Sequence, residues 1–285
     1  MVRRALRSRK LSLRYNYHVL LEEQVPQAPI GKPSQAAARF ALDSLEAGVD
    51  GCLRGDYAAL VTAPVNKAAL HRVGFRFPGQ TEWLAHRTGA RQHAMMLVGG
   101  GLRVTLVTTH VPLRQVSSLL TRQAVGEKID LTYHALRDFG IRRPRILVAG
   151  LNPHAGAVAE RGREEIEIIA PAVRAAQKRL KTAAIVEGPF SPDHVFWLAH
   201  HIPEAQDAAV VCMYHDQGLI PLKMLAFDRG VNLTLGLPII RASPDHGTAY
   251  DIAGKNCASS GSMIEAIKLA AKLAAKHGIY NCEPW

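Results

Sequence analysis

Short apolar, β-branched runs alternate along the chain with longer segments whose apolar positions recur every three or four residues. The first pattern reads as buried strands and the second as amphipathic helices. Strands are predicted at Ala58 to Val61 before a turn at Pro64, at Met95 to Val98, Val104 to Thr108, residues 145–151, the run ending at Tyr214, and Gly230 to Leu237. Helices are predicted from Ser34 past Leu45, from Thr81 to Arg87, Thr121 to Phe139, Glu164 to Leu180 and Ser259 to His277, with one more after Tyr214. Ser34 suits an N-cap, whereas Gly140 and Gly278 suit stops. Asn66-Lys67, after Thr62-Ala-Pro-Val, reads as a further helix start at the mouth of a site. Gly99-Gly-Gly101 lies between two strands and reads as a tight hairpin-like turn. The alternation implies an α/β fold with a largely parallel sheet.

Three histidines follow such strands. His110 closes Arg-Val-Thr-Leu-Val-Thr-Thr-His, His154 follows Arg-Ile-Leu-Val-Ala-Gly-Leu-Asn-Pro, and His215 follows Ala-Ala-Val-Val-Cys-Met-Tyr. The carboxyl ends of strands in an open α/β sheet face the ligand crevice. Three neutral imidazoles gathered there suit a catalytic divalent ion, and zinc, magnesium, cobalt, nickel and manganese all stay open.

Composition narrows the class. With 285 residues, 48% of them hydrophobic, the chain can bury a sizeable core in one large or two smaller lobes. The net charge is +11, but Arg3, Arg4, Arg7, Arg9, Lys10 and Arg14 supply part of it; the remainder is 29 basic against 24 acidic residues. No RNP-type aromatic run or Cys/His finger accompanies the charge, so no nucleic-acid partner is expected. Cys52, Cys212, Cys257 and Cys282 form no C-x-x-C pair and read as reduced thiols. No run is long and apolar enough for a membrane span, and the basic N-terminus has no apolar signal core. The Tyr15-Asn-Tyr-His that follows looks like folded protein, and the location is read as cytoplasmic. No G-x-G-x-x-G opens a helix and no P-loop is present, so any dinucleotide is bound by another scheme.

Further chemistry clusters downstream of His215. Lys223 sits within Leu219-Ile-Pro-Leu-Lys-Met-Leu-Ala-Phe, where an ammonium needs a partner or a ligand. Asn232 and Arg241 flank an extended stretch, and the arginine fork can grip a phosphate or carboxylate. Asp193 and the Asp245-His246 pair are candidates for proton transfer or for orienting a ligand; Asp245-His-Gly-Thr248 reads equally well as an Asx turn. His71, His86, His93, His134 and His277 carry no contextual signal, and His200-His201 reads as a surface pair at a helix end.

Six stretches together identify a family resemblance: Thr62-Ala-Pro-Val-Asn-Lys67, Thr108-Thr-His-Val-Pro-Leu113, Leu151-Asn-Pro-His-Ala-Gly156, Met213-Tyr-His-Asp-Gln-Gly-Leu219, Gly230-Val-Asn-Leu-Thr-Leu-Gly-Leu-Pro238 and Asp245-His-Gly-Thr248. They span roughly residue 35 to the C-terminus and resemble the 4-hydroxythreonine-4-phosphate dehydrogenases of vitamin B6 synthesis. The resemblance implies the two-lobed α/β/α fold of the isocitrate and isopropylmalate dehydrogenases, with the active site in the cleft. It implies NAD as cofactor, a phosphorylated small-molecule substrate, and a homodimer sharing the metal site of His110, His154 and His215. It also implies substrate contacts at Thr81, Lys223, Asn232 and Arg241. Gln80 stands where the family usually has His, and it can hydrogen-bond an anion but not become cationic. That keeps open a sister dehydrogenase of phosphorylated threonate- or erythronate-type acids. The family's opening strand and Gly-Glu-Pro-x-Gly-Ile-Gly loop are missing, which a misassigned start codon explains; a non-catalytic relative is the further alternative.

Overall fold

The computed structural model describes residues 26–156, 162–202 and 205–276. The readings made for the N-terminal basic run, for Tyr15 to His18 and for Gly278 lie outside these residues. The elements are α1 (Gln35–Arg54), β1 (Leu60–Val61), α2 (Lys67–Arg72), α3 (Gln80–Thr88), β2 (Ala94–Gly99), β3 (Leu102–Leu106) and α4 (Val116–Leu119). They continue with α5 (Arg122–Asp138), β4 (Arg145–Ala149), α6 (Ala170–Leu180), β5 (Ile185–Phe190), α7 (Val195–His201) and β6 (Ala208–Cys212). The last are α8 (His215–Ala226), β7 (Val231–Leu235), β8 (Arg241–Pro244) and α9 (Gly261–Lys276). Ser34, Asn66 and Thr121 cap α1, α2 and α5 by accepting the N–H of Ala37, Ala69 and Ala124.

The strands among the described residues form one eight-stranded sheet in the order β1-β8-β7-β2-β3-β6-β4-β5. The expectation of a largely parallel sheet needs correction. β3–β6, β6–β4, β4–β5 and β1–β8 are parallel, whereas β8–β7, β7–β2 and β2–β3 are antiparallel. The reversal at β2–β3 is the predicted glycine hairpin. Gly100 and Gly101 have φ of 58° and 80°, which is the two-residue turn whose twist suits a hairpin. Strands β5 and β8 escaped the sequence reading, because Gly188 and Pro189 interrupt one and Arg241 opens the other.

The long helix expected from Glu164 starts as a π-helical turn at Glu165–Ile169 before α6. Pro171 has no N–H to give the Glu167 carbonyl, and the Arg122 guanidinium takes that carbonyl instead at 2.6 Å.

Alternate residues of each inner strand face opposite layers. Ile146 and Val148 pack with Ile129, Leu136, Val173 and Leu273, under α5, α6 and α9. Leu147 and Ala149 pack with Val195, Ala199, Leu219 and Leu222, under α7 and α8. The period of two along β4 therefore builds an α/β/α sandwich. Each fully buried Leu or Ile contributes roughly 1.5–3 kcal/mol. A third cluster, with Leu42, Val49, Leu70, Trp83 and Leu84, joins α1, α2 and α3.

Gly236 sits at φ 81°, and a Cβ there would meet the Gln92 carbonyl oxygen at 2.3 Å. Gly236→Ala therefore loses about 2 kcal/mol of stability through left-handed strain and the clash. A urea midpoint equal to that of the wild type would contradict this.

Candidate active site

The parallel run β3, β6, β4 brings three carboxyl-terminal strand ends side by side. His110 lies past β3, His215 opens α8 past β6, and His154 lies in the turn Pro153–Gly156 past β4. The His110 and His215 rings stand 5.5 Å apart between centroids at 45°. Burial lowers the His110 pKa first, helped by Lys67 and His215 and opposed by Glu82, so its neutral ring keeps a lone pair for a ligand. His215 Nδ1 lies 2.6 Å from Asp216 Oδ1, an arrangement that fixes the ring and leaves Nε2 for a ligand. Two imidazoles in one cavity, one of them backed by a carboxylate, fit a divalent ion and leave positions open for substrate. His154 does not join them. It is exposed at φ 57°, outside the lining of the cavity that holds the other two. Among the described residues no group of three His, Cys, Asp or Glu side chains is assembled to hold a metal.

That cavity measures about 910 Å³ and gathers most of the other candidates: Gln80, Thr81, Lys223, Asn232, Arg241, Asp245 and His246. Arg241 is only 4% exposed. Its Nη1 donates to Thr234 Oγ1 at 3.0 Å, and its Nη2 donates to Thr62 Oγ1 at 2.8 Å and Gln80 Oε1 at 2.9 Å. All three partners are neutral, and Nε has none. Burial pushes the guanidinium down to about 10, with Glu82 opposing, so Arg241 stays charged at neutral pH. A cation buried this way, with no carboxylate in ion-pair reach among the described residues, is set up for an anion from outside.

Asn232 donates its amide N–H weakly to Met95 Sδ at 3.2 Å and leaves a buried Oδ1 unpartnered. Lys223 Nζ lies 3.2 Å from Asp245 Oδ2 and 5.7 Å from the Phe227 ring centroid. Gln80 is held at both ends, since its Nε2 also donates to the Ala63 carbonyl at 3.3 Å.

Asp193 is the candidate placed elsewhere. It is exposed past β5, held low by the Ser191 hydroxyl and more weakly by His154 and His194. His93, Lys128 and Glu82, which carry no signal in the sequence pattern, also line the cavity. Lys128 sits on α5 and donates to the His93 carbonyl at 2.7 Å, with burial lowering its pKa. A second cavity of about 500 Å³ adjoins the first and shares Pro64, Val65, His246 and Gly247 with it. Ala37, Ala38, Ala41, Ala249, Ala253 and Gly254 give it smooth walls.

A buried guanidinium in one cavity with two imidazoles, at the carboxyl edge of an α/β sheet, is the kind of site that an α/β enzyme offers to a small anion. The chain belongs to the family of the pyridoxal phosphate biosynthetic protein PdxA, whose model matches residues 5–270. A 4-hydroxythreonine-4-phosphate dehydrogenase of Chromobacterium violaceum is 47% identical over 263 residues, which are 90% of this chain and 78% of the relative. The crystal structure of a 4-hydroxythreonine-4-phosphate dehydrogenase from Klebsiella pneumoniae superposes with a TM-score of 0.76 at 44% identity, over 86% of this chain and 73% of that one. A terephthalate 1,2-cis-dihydrodiol dehydrogenase from Burkholderia xenovorans superposes with a TM-score of 0.63 at 29% identity, over 86% of this chain and 76% of that one. The α/β fold and the dehydrogenase family read from the sequence are thus borne out.

Inorganic phosphate at millimolar concentration should raise the Tm of the wild type and have little effect on Arg241→Met. Equal shifts in both proteins would show that Arg241 does not receive the anion.

Proposed function

We propose that the chain oxidises 4-phosphohydroxy-L-threonine at its C3 hydroxyl, using NAD and a divalent metal ion. The resulting 3-oxo acid then loses carbon dioxide to give 3-amino-2-oxopropyl phosphate. The observation that carries this reading is the buried Arg241 with its orphaned Nε, in one cavity with Lys223, the orphaned Asn232 Oδ1 and the paired imidazoles of His110 and His215.

Arg241 and Lys223 hold the phosphate, and Asn232 and Thr81 orient the carbon chain, so that the hydroxyl falls beside His110 and His215. A divalent ion held by His110 and His215 would supply Lewis acidity toward the hydroxyl, and NAD would supply the acceptor for the C3 hydride. Asp245, held by Lys223, takes the hydroxyl proton, with His246 as the other candidate base. The C1–C2 electron pair of the oxo acid moves toward the ketone as carbon dioxide leaves, and C2 then takes a proton. The smooth-walled second cavity is the place for the NAD nucleotide, joined to the first through His246 and Gly247.

Two features support a homodimer that completes the metal site. His154 stands outside its own chain's cavity, and Ile220, Met224 and Phe227 on or next to α8 are exposed by 64%, 83% and 80%. An apolar rim of that kind suits a subunit contact. In that dimer Asp193, beside His154, orients the shared site.

Gln80 favours one second reading. It is neutral and already tied to Arg241 and Ala63, so the end of the substrate it touches carries a weaker demand for charge. A phosphorylated threonate- or erythronate-type acid, which lacks the amino group, fits that demand as well. A substrate panel separates the two readings.

Lys223→Ala should raise KM for the phosphorylated substrate at least about tenfold, as expected for a lost charge-assisted contact. His215→Ala and His154→Ala should abolish NADH formation together with metal content. Unchanged KM in the lysine variant, or metal-dependent turnover in either histidine variant, would contradict these assignments.

A further inference from the structure

The loops that carry the three histidines are tied together by polar side chains that the reaction itself does not use. The β3–β6 ladder continues beyond the strands: Val107 N–H donates to the Cys212 carbonyl at 2.8 Å, and Thr108 Oγ1 donates to the Met213 carbonyl at 2.8 Å. Gln217 is 7% exposed, and its Oε1 accepts the Met213 N–H at 2.7 Å. Its Nε2 donates to the Gly150 carbonyl at 2.8 Å, past the end of β4. One amide side chain therefore spans the ends of β6 and β4, with His215 two residues before it in sequence.

On the far side of the β4 loop lies Glu165, 2% exposed in the π-helical turn. Its Oε1 accepts the N–H groups of Leu151 and Asn152, both at 2.7 Å, and its Oε2 accepts Asn152 Nδ2 at 3.0 Å. A Cβ at Gly156 would meet Oε2 at 2.8 Å, so the loop closes tightly around the carboxylate. Between those contacts His154 and Ala155 hold φ of 57° and 52°, left-handed values that strain a non-glycine residue. Such strain persists only where the surroundings over-determine the backbone. The Glu165 carboxylate supplies that constraint from one side, and Gln217 supplies it from the other.

We infer that Gln217 and Glu165 are positioning residues that act as one strap, setting the His154 loop against the loops of His110 and His215. Neither side chain lines the substrate cavity. Their effect reaches the ligand only through the backbone that aims the imidazoles. The inference rests on the metal reading given above.

Cobalt(II), titrated into the full chain and followed by visible absorption, tests the strap without relying on turnover. The wild type should show an imidazole-field spectrum that His215→Ala removes. Gln217→Glu keeps the acceptor and loses the donor, and Glu165→Gln keeps the shape and loses the charge. Each should weaken cobalt binding on the order of tenfold and alter the spectrum, as loss of groups that orient metal ligands does. Leu136→Ala, in the core under α5, serves as a destabilised control and should leave both readings unchanged.

Wild-type affinity and spectrum in both strap variants would overturn the inference. So would an equal loss in Leu136→Ala, which would reduce the strap to general stability. If Glu165→Gln does not fold, Gln217→Glu alone decides the matter. A wild type that binds no cobalt through His215 would sink the metal reading, and the strap with it, before any variant is compared.

Discussion

The parallel pairing of β3, β6 and β4 is the constraint on which the rest depends. Parallel neighbours end at the same edge of a sheet, so residues beyond each strand end emerge into one crevice. The register Leu106 to Cys212 and Val148 to Val211 sets how far each strand reaches. His110 and His215 then meet as a consequence of backbone pairing, with no direct bond between the two rings. The antiparallel half of the sheet supplies the opposite wall: β7 brings Asn232, β2 brings Met95 and β8 brings Arg241.

Electrostatics decides what that crevice can receive. Burial takes Arg241 from its ordinary value down to about 10, which corresponds to a cost on the order of 3 kcal/mol for holding the charge. The sign follows from the lowered value. Below about pH 10 the cation is present in both folded and unfolded chains and the cost is constant; it fades only as the pH rises further. Near neutrality Arg241 therefore does not titrate, and an incoming anion offsets a standing penalty. The neutral partners Thr62, Thr234 and Gln80 aim the guanidinium without neutralising it.

Much of this was legible in the sequence. Apolar runs followed by histidine fixed both the α/β class and the placement of His110 and His215, because strand ends and cavity share an edge. Lys223 was legible as a charged residue in apolar company, and Asn232 and Arg241 as polar residues flanking an extended stretch; all three line the cavity. Lys128 and His93 were not, since a lysine on an amphipathic helix looks solvated until the sheet brings it over a cavity. The sheet's mixed direction was hidden as well. Pattern reveals which residues are buried, but strand direction depends on which strand each one neighbours. The role of Glu165 is also tertiary: in sequence it is one of several helix glutamates, and only the returning β4 loop gives its carboxylate three donors.

The most direct test of the central claim is to incubate the chain with 4-phosphohydroxy-L-threonine labelled at C1, together with NAD and a divalent metal ion. NADH and labelled carbon dioxide are measured in the same sample. The account predicts equal amounts of the two, both dependent on the metal. NADH without labelled carbon dioxide, or no NADH from this substrate when a phosphorylated threonate in its place does yield NADH, would contradict it.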